Sequence, residues 1–414
     1  MRRLPRPLVA AAAAVVFLVA CALIRGGLLR GEQLGDVRLY AQYARRMVDG
    51  RVPYRDFFFE YPPGSLPAIL LPGLVSTAHY TVLFKWLMAL CGVATILLAD
   101  RIASAAGMAA GRAALILGAL ALAPLALGPI VLDEYDLWPA LVTVGALLAL
   151  VAGRDRLGCG LLGFGAAAKV FPAAILPVAL VVIYRRTGSA AAKRALLSFA
   201  VAAVATYVAF VALAPGGVWY STHVQLRRGL QKESLGSAIL LVLDQLGLYK
   251  ARIVEGNPHW TELTGPAGDA LAAAGTVCQV AAALAVAAIA ARRRPEPRML
   301  LCAAAAAVAG FVAFGKVFSP QYLIWLVPLV PLGAGVLETV LLAAALVLTQ
   351  LWFLDYVTPF DLDSGVWLVV ARDALMLALF VVLVLRLRRF APAAAPRTAR
   401  TATPGPGRAR AGST

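Results

Sequence analysis

Residues 34–67 read LGDVRLYAQYARRMVDGRVPYRDFFFEYPPGSLP, and the rest of the chain is organised around them. The stretch follows the first apolar segment and is too polar to stay within a bilayer core. Across 37–48, Val37, Tyr40, Ala41, Ala44 and Val48 share one helical face, while Arg38, Gln42, Arg45 and Arg46 fall largely on the others. A helix so divided lies along a membrane surface. Asp36 stands immediately before it, at the N-cap position. The stretch thereby sets Asp36, Asp49, Asp56 and Glu60 at or near an interface.

Working outward, the 414-residue chain is 61% hydrophobic and 14% charged, with a mean hydropathy of +0.82. A soluble protein of this size cannot hide that much apolar surface, so the fold class is an all-α polytopic membrane protein. The net charge of +17 does not indicate nucleic acid. The basic residues sit in short clusters between apolar runs, which is the positive-inside pattern. All five cysteines (Cys21, Cys91, Cys159, Cys278, Cys302) lie in apolar runs without metal-ligand spacing and read as small hydrophobes.

The runs and clusters give about twelve crossings with both ends in the cytoplasm. Leu18-Val19-Ala20-Cys21 resembles a lipoprotein processing box, but more apolar residues follow Cys21, so 8–24 reads as an uncleaved first span. Residues 65–78 are too short for a core of about 30 Å and carry Pro67 and Pro72; they read as a juxtamembrane or re-entrant element. Further spans fall near 80–100, 113–130, 137–152, 195–214, 268–291, 299–315 and 366–387, with two more flanking Glu338. Arginines bracket 157–184 at both ends, which predicts two half-helices turning at Lys169-Val170-Phe171-Pro172. Outside lie 25–64, 131–136, 215–267, 315–321 and 355–365. One transmembrane domain thus covers 1–390, and 391–414, rich in Ala, Pro, Arg, Thr and Gly, reads as a disordered cytoplasmic tail.

The sequence carries no Walker A motif, no GxGxxG after a strand and no metal–nucleotide DxD, and its cytoplasmic loops are short. Chemistry is therefore expected in the outer half, on a lipid-borne donor such as a polyprenyl-phosphate sugar. That reaction needs one carboxylate base for the acceptor hydroxyl and fixed cations for the departing phosphate. Phosphate already leaves well, so no second carboxyl acid is required, unlike in glycoside hydrolysis. Lys169, Arg227, Arg228, Lys232 and Lys316 supply outer cations; Lys316, alone at a span end before SPQYLIW, is the most costly to leave without a ligand. The blander alternatives are a half-exposed turn lysine at 169 and headgroup contacts at 227–232. Trp219, Trp260, Trp325, Trp352 and Trp367 near span ends read as interfacial anchors.

Three motifs then carry a resemblance. Gly35-Asp36 with Tyr40, Gly50 with Pro53-Tyr54 and Phe57, and Tyr61-Pro62-Pro63 with Pro67 come first; Lys169-Val170-Phe171-Pro172 and GKVFSPQYLIWLVPL (315–329) follow. Together they resemble glycosyltransferase family 87, integral membrane enzymes of the GT-C type that include polyprenyl-phosphate-mannose-dependent α-mannosyltransferases. The resemblance implies a GT-C bundle with juxtamembrane helices in its first outer loop and a catalytic base at Asp36. It implies transfer of a hexose, mannose first, to a cell-envelope glycolipid or polysaccharide at the outer face of the plasma membrane. The candidate substrate-binding residues are Tyr40, Glu60, Tyr61, Asp133, Glu134, Lys169, Arg227, Arg228, Lys316, Gln321 and Tyr322. No cofactor or divalent metal is indicated, and the expected partners are membrane lipid, the lipid-linked donor and the acceptor. The rival reading is a lipid-linked-sugar flippase that uses the same groups without chemistry.

Overall fold

The structure is a computed structural model and describes residues 6–26, 35–256, 260–357 and 362–392. Among the described residues, six helices are long and apolar enough to cross a membrane: Arg6–Ile24, Tyr80–Ala105, Ala110–Leu127, Ser189–Leu213, Pro266–Ala291 and Gly365–Arg388. The other apolar helices, among them Leu137–Val151, Pro297–Ala313 and Val336–Trp352, run only 10–17 residues. The chain is thus a multi-pass helical membrane protein, with long spans and shorter apolar helices side by side. The expected tail lies almost wholly outside the described residues.

The centre of the bundle is the Pro297–Ala313 helix, buried along nearly its whole length. Its PRMLLCAAAAAVAGFVA sequence has almost no side-chain bulk after Leu301, so neighbours come within backbone distance. At Gly310 a Cβ would sit 2.8 Å from the Phe380 ring and 3.0 Å from Ala282. Ser189–Leu213 is the opposite case: of its residues only Ala195 is buried, a continuous apolar surface that only lipid tolerates.

The two ends of the bundle differ in chemistry. At one, arginines take the carbonyls that helix ends leave unsatisfied. Arg298 donates to Gly107 O (2.5 Å) and Ala106 O (3.3 Å), just past Tyr80–Ala105. Arg6 bonds Met108 O, Arg112 bonds Pro331 O, and Arg386 pairs with Glu338. The expected half-helix hairpin is present: Asp155–Ala166 and Leu176–Thr187 are joined at this end by an Arg186–Asp155 pair and turn at Lys169. At the other end lie the acids of the 133–136 segment and the turn that carries Lys169.

Two features depart from expectation. The segment 215–267, expected as a loop, folds in part into a three-stranded antiparallel sheet in the order β1 (Leu230–Gln231), β3 (Trp260–Leu263), β2 (Ile253–Gly256). Short alternating segments with β-branched residues favour this pairing over a helix. The Val37–Val48 helix also buries a shifted face: Val37, Tyr40, Tyr43 and Ala44. Tyr43 turns inward onto Phe59, 4.9 Å between rings, while Val48 is exposed.

Candidate active site

Three turns far apart in sequence meet at the acidic end. The first follows Gly128, whose φ of +80° lets the Ala110–Leu127 helix stop and the LDEYD segment fold back. Leu137–Val151 then starts at Asp136, so Asp133, Glu134, Tyr135 and Asp136 are held at the mouth and are all buried. The second turn carries Lys169 between the half-helices, and the third carries Tyr322 and Trp325 at the start of Leu323–Gly333.

Asp136 joins these turns. Its Oδ2 accepts from Lys169 Nζ at 2.8 Å and its Oδ1 from the Trp325 indole N–H at 2.6 Å. Trp325 is sandwiched by Phe171 (4.3 Å) and Tyr322 (4.2 Å), both stacked, and the Lys169 ammonium stands 4.6 Å from the Tyr135 ring centre. Lys85, in the first turns of Tyr80–Ala105, pairs with Asp133 at 2.5 Å. Each of these charges is compensated, as buried charges must be.

The quoted stretch docks onto this frame. Gly64 N donates to Ala167 O at 2.8 Å, and Gly64 O accepts from the Trp138 indole N–H at 3.0 Å. A Cβ at Gly64 would fall 2.6 Å from the Ala167 carbonyl, so only glycine allows the YPPG turn to touch the turn that carries Lys169. We expect Gly64→Ala to force the two turns apart, cutting transfer activity at least tenfold and lowering Tm in detergent. An unchanged Tm and rate would show that the docking is dispensable.

Asp36 does not cap the helix behind it, for its side chain makes no N-cap hydrogen bond. Instead its Oδ2 accepts from the Tyr61 hydroxyl at 2.6 Å, and its backbone N–H donates to Glu134 Oε1 at 3.1 Å. Tyr40 donates its hydroxyl to the other Glu134 oxygen. The rings of Tyr40, Tyr61 and Tyr135 meet edge to face at 5.3–5.7 Å and wall the carboxylates from the bundle. Gly35 leaves room here, since a Cβ would stand 2.9 Å from Asp133 O and Glu134 Oε1.

The expected residues divide into two groups. Asp36, Tyr40, Tyr61, Asp133, Glu134, Lys169 and Tyr322 converge as described. Glu60, 6% exposed, lies at their edge, where the charges of both Asp36 and Arg228 reach it. Gln225 donates to Glu60 O at 3.3 Å and Ser221 to Phe59 O at 2.7 Å, so the Pro215–Leu226 helix rests on this segment. Arg227 is exposed at the end of that helix. Lys316 donates to Leu226 O at 2.8 Å, placing it at the end of the Pro215–Leu226 helix rather than with Asp36. Gln321 is half-buried beside Tyr322.

Asp136, Trp325, Lys85 and Tyr135 were missing from the expected set. Lys85 had a readable signal, being a lysine inside an apolar run (TVLFKWL). Trp325 and Trp352 are not interfacial anchors: they are 1% and 6% exposed, whereas Trp219 and Trp367 are more than half exposed. Trp260 has no described side-chain environment.

Burial, and then the charge of Asp36, pushes the Glu134 carboxyl well above the ordinary carboxyl range. Burial first, with Asp36 again adding, raises Glu60. A carboxyl raised on folding binds more protons folded than unfolded, so stability is greatest at low pH and falls as pH climbs past about 4.3 toward the raised value. Glu134→Gln is expected to flatten that fall in a Tm–pH series. An identical slope in the variant would place the proton elsewhere.

The site is thus a set of buried carboxylates, with the half-buried Asp36 beside them, held among tyrosines and compensated charges in a helical membrane bundle. The chain matches the family model for glycosyltransferase family 87 over residues 58–320, well over half its length. It therefore belongs to glycosyltransferase family 87 and is a glycosyltransferase. No curated protein sequence matches it. The matched range holds Glu60, Tyr61, LDEYD, Lys169 and Lys316 but begins after Asp36.

Proposed function

We propose that the chain transfers a hexose, mannose first, from a polyprenyl-phosphate sugar to a cell-envelope glycolipid or polysaccharide at the outer face of the plasma membrane, with inversion. One observation carries the choice of base. Glu60, Asp133, Glu134 and Asp136 are 0–6% exposed, whereas Asp36 in the same cluster is only half-buried. Tyr61 occupies one Asp36 oxygen and fixes the carboxylate, leaving the other to an acceptor hydroxyl.

In this reaction the acceptor oxygen attacks the anomeric carbon from the face opposite the phosphate. Its proton passes to Asp36, and the carbon–oxygen bond to phosphate breaks with its electron pair leaving on the phosphate. Arg228 and Arg227, with Lys316 from the 315–321 turn, provide the cationic side for that charge, since Lys169 is already neutralised by Asp136. No divalent ion enters the scheme as drawn. The transporter reading gains nothing from family membership.

Orientation tests the proposal. With Cys278, the exposed cysteine, replaced by Ser, a membrane-impermeant thiol reagent should label Asp49→Cys and Leu248→Cys from outside in intact cells. Thr403→Cys should react only after lysis. Labelling of Asp49→Cys only after lysis would put the site on the wrong face for a lipid-linked donor displayed outside.

A further inference from the structure

Beside the site, the Arg55–Phe58 turn and the start of the Pro215–Leu226 helix enclose an open cavity of about 290 Å³. Arg55, Asp56, Phe57, Phe58, Gly217 and Tyr220 line it, with Tyr54 behind. One wall is aromatic: Phe58 and Tyr220 meet edge to face at 5.5 Å, and Tyr220 is 59% exposed. The other is a fork. Arg55 Nε and Nη2 donate to the two Asp56 oxygens at 2.8 and 2.9 Å, and Val52 N–H fixes the carboxylate at 2.7 Å. The fork uses two of Arg55's nitrogens and leaves Nη1 donors, along with acceptor capacity on Asp56, for a ligand.

These walls suit a neutral ring with an apolar C–H face and equatorial hydroxyls. An anionic headgroup bound at Arg55 Nη1 would instead stand against the Asp56 carboxylate. The volume lies at the lower end of ligand pockets, enough for a pyranose ring but not for a lipid tail. We propose that this cavity is a subsite for a pyranose unit of the acceptor glycan, and this rests on the transferase reading above.

The cavity is rigidly tied to the base. Tyr54 holds a left-handed φ of 67°, rare for a tyrosine and kept only where surroundings over-determine it. Tyr54 N–H donates to Phe57 O at 3.1 Å, its hydroxyl donates to Tyr61 O at 2.5 Å, and its carbonyl abuts Gly217, where a Cβ would lie 1.9 Å away. Tyr61 in turn bonds Asp36. A sugar seated on the turn is thus registered to the carboxylate through one short segment.

The test uses the full chain in neutral-lipid nanodiscs and saturation-transfer NMR with α-mannotriose, maltotriose and galactotriose as probes. At least one trisaccharide should give a signal, and Tyr220→Ala and Asp56→Asn should each weaken its binding at least fivefold while Asp36→Asn leaves it intact. No signal from any of the three, or equal binding by both cavity variants, overturns the proposal. Binding that appears only with anionic lipid assigns the cavity to headgroups and overturns it too. Failure of the transferase reading is seen separately, as absent sugar transfer by the wild type whatever the NMR shows.

Discussion

Asp36→Asn is expected to leave the protein folded and nearly inactive, with transfer reduced by about 10²–10⁴, the usual worth of a general base. The amide is isosteric and keeps an oxygen for the Tyr61 hydroxyl, so the ring cluster has no reason to rearrange. The helix behind loses nothing, because the Asp36 side chain does not cap it. What disappears is proton affinity, since an amide takes no proton at neutral pH. Asp49→Asn is the matched control: Asp49 is exposed at the far end of the same helix and should keep most activity. The comparison is made on purified protein at matched Tm. Near-normal transfer by Asp36→Asn would move the base to Glu60 or into LDEYD.

Lys169→Met should act on stability before it acts on substrate. Asp136 is fully buried, and without the lysine one of its oxygens faces no counter-charge. Breaking a buried pair by removing one partner costs about 3–5 kcal/mol, a large share of a typical fold's margin. The double variant Lys169→Met/Asp136→Asn removes the orphaned charge and should recover most of the loss. Thermal unfolding in detergent measures both. A Lys169→Met protein as stable as wild type, but with weakened donor use, would instead make the lysine a phosphate ligand.

Both results bear on how far the sequence alone leads. The half-helix hairpin was legible because arginines at both ends of 157–184 forbid a single crossing, and the structure closes those ends with Arg186 on Asp155. The lengths of the helices were not, because hydropathy marks apolar runs without telling a 26-residue helix from a short one packed inside the bundle. Asp36 drew attention by standing at the start of an outer helix. Its partner Tyr61 lies 25 residues on, and no local pattern foretells that bond. Trp325 misled for a similar reason. Near a span end an indole ordinarily anchors at the interface, yet here its N–H serves Asp136, 189 residues away. The family motifs sit on the turns that converge, but the compensations between them are long-range and appear only in the fold.

The central claim is chemical transfer from a lipid-linked sugar with Asp36 as base. The most direct measurement places purified protein in proteoliposomes with a radiolabelled polyprenyl-phosphate mannose and an envelope glycolipid fraction, and follows both product and donor sidedness. The account predicts a mannosylated product of inverted anomeric configuration from the wild type and none from Asp36→Asn. Donor that crosses the bilayer without any product, equally in both proteins, would contradict it.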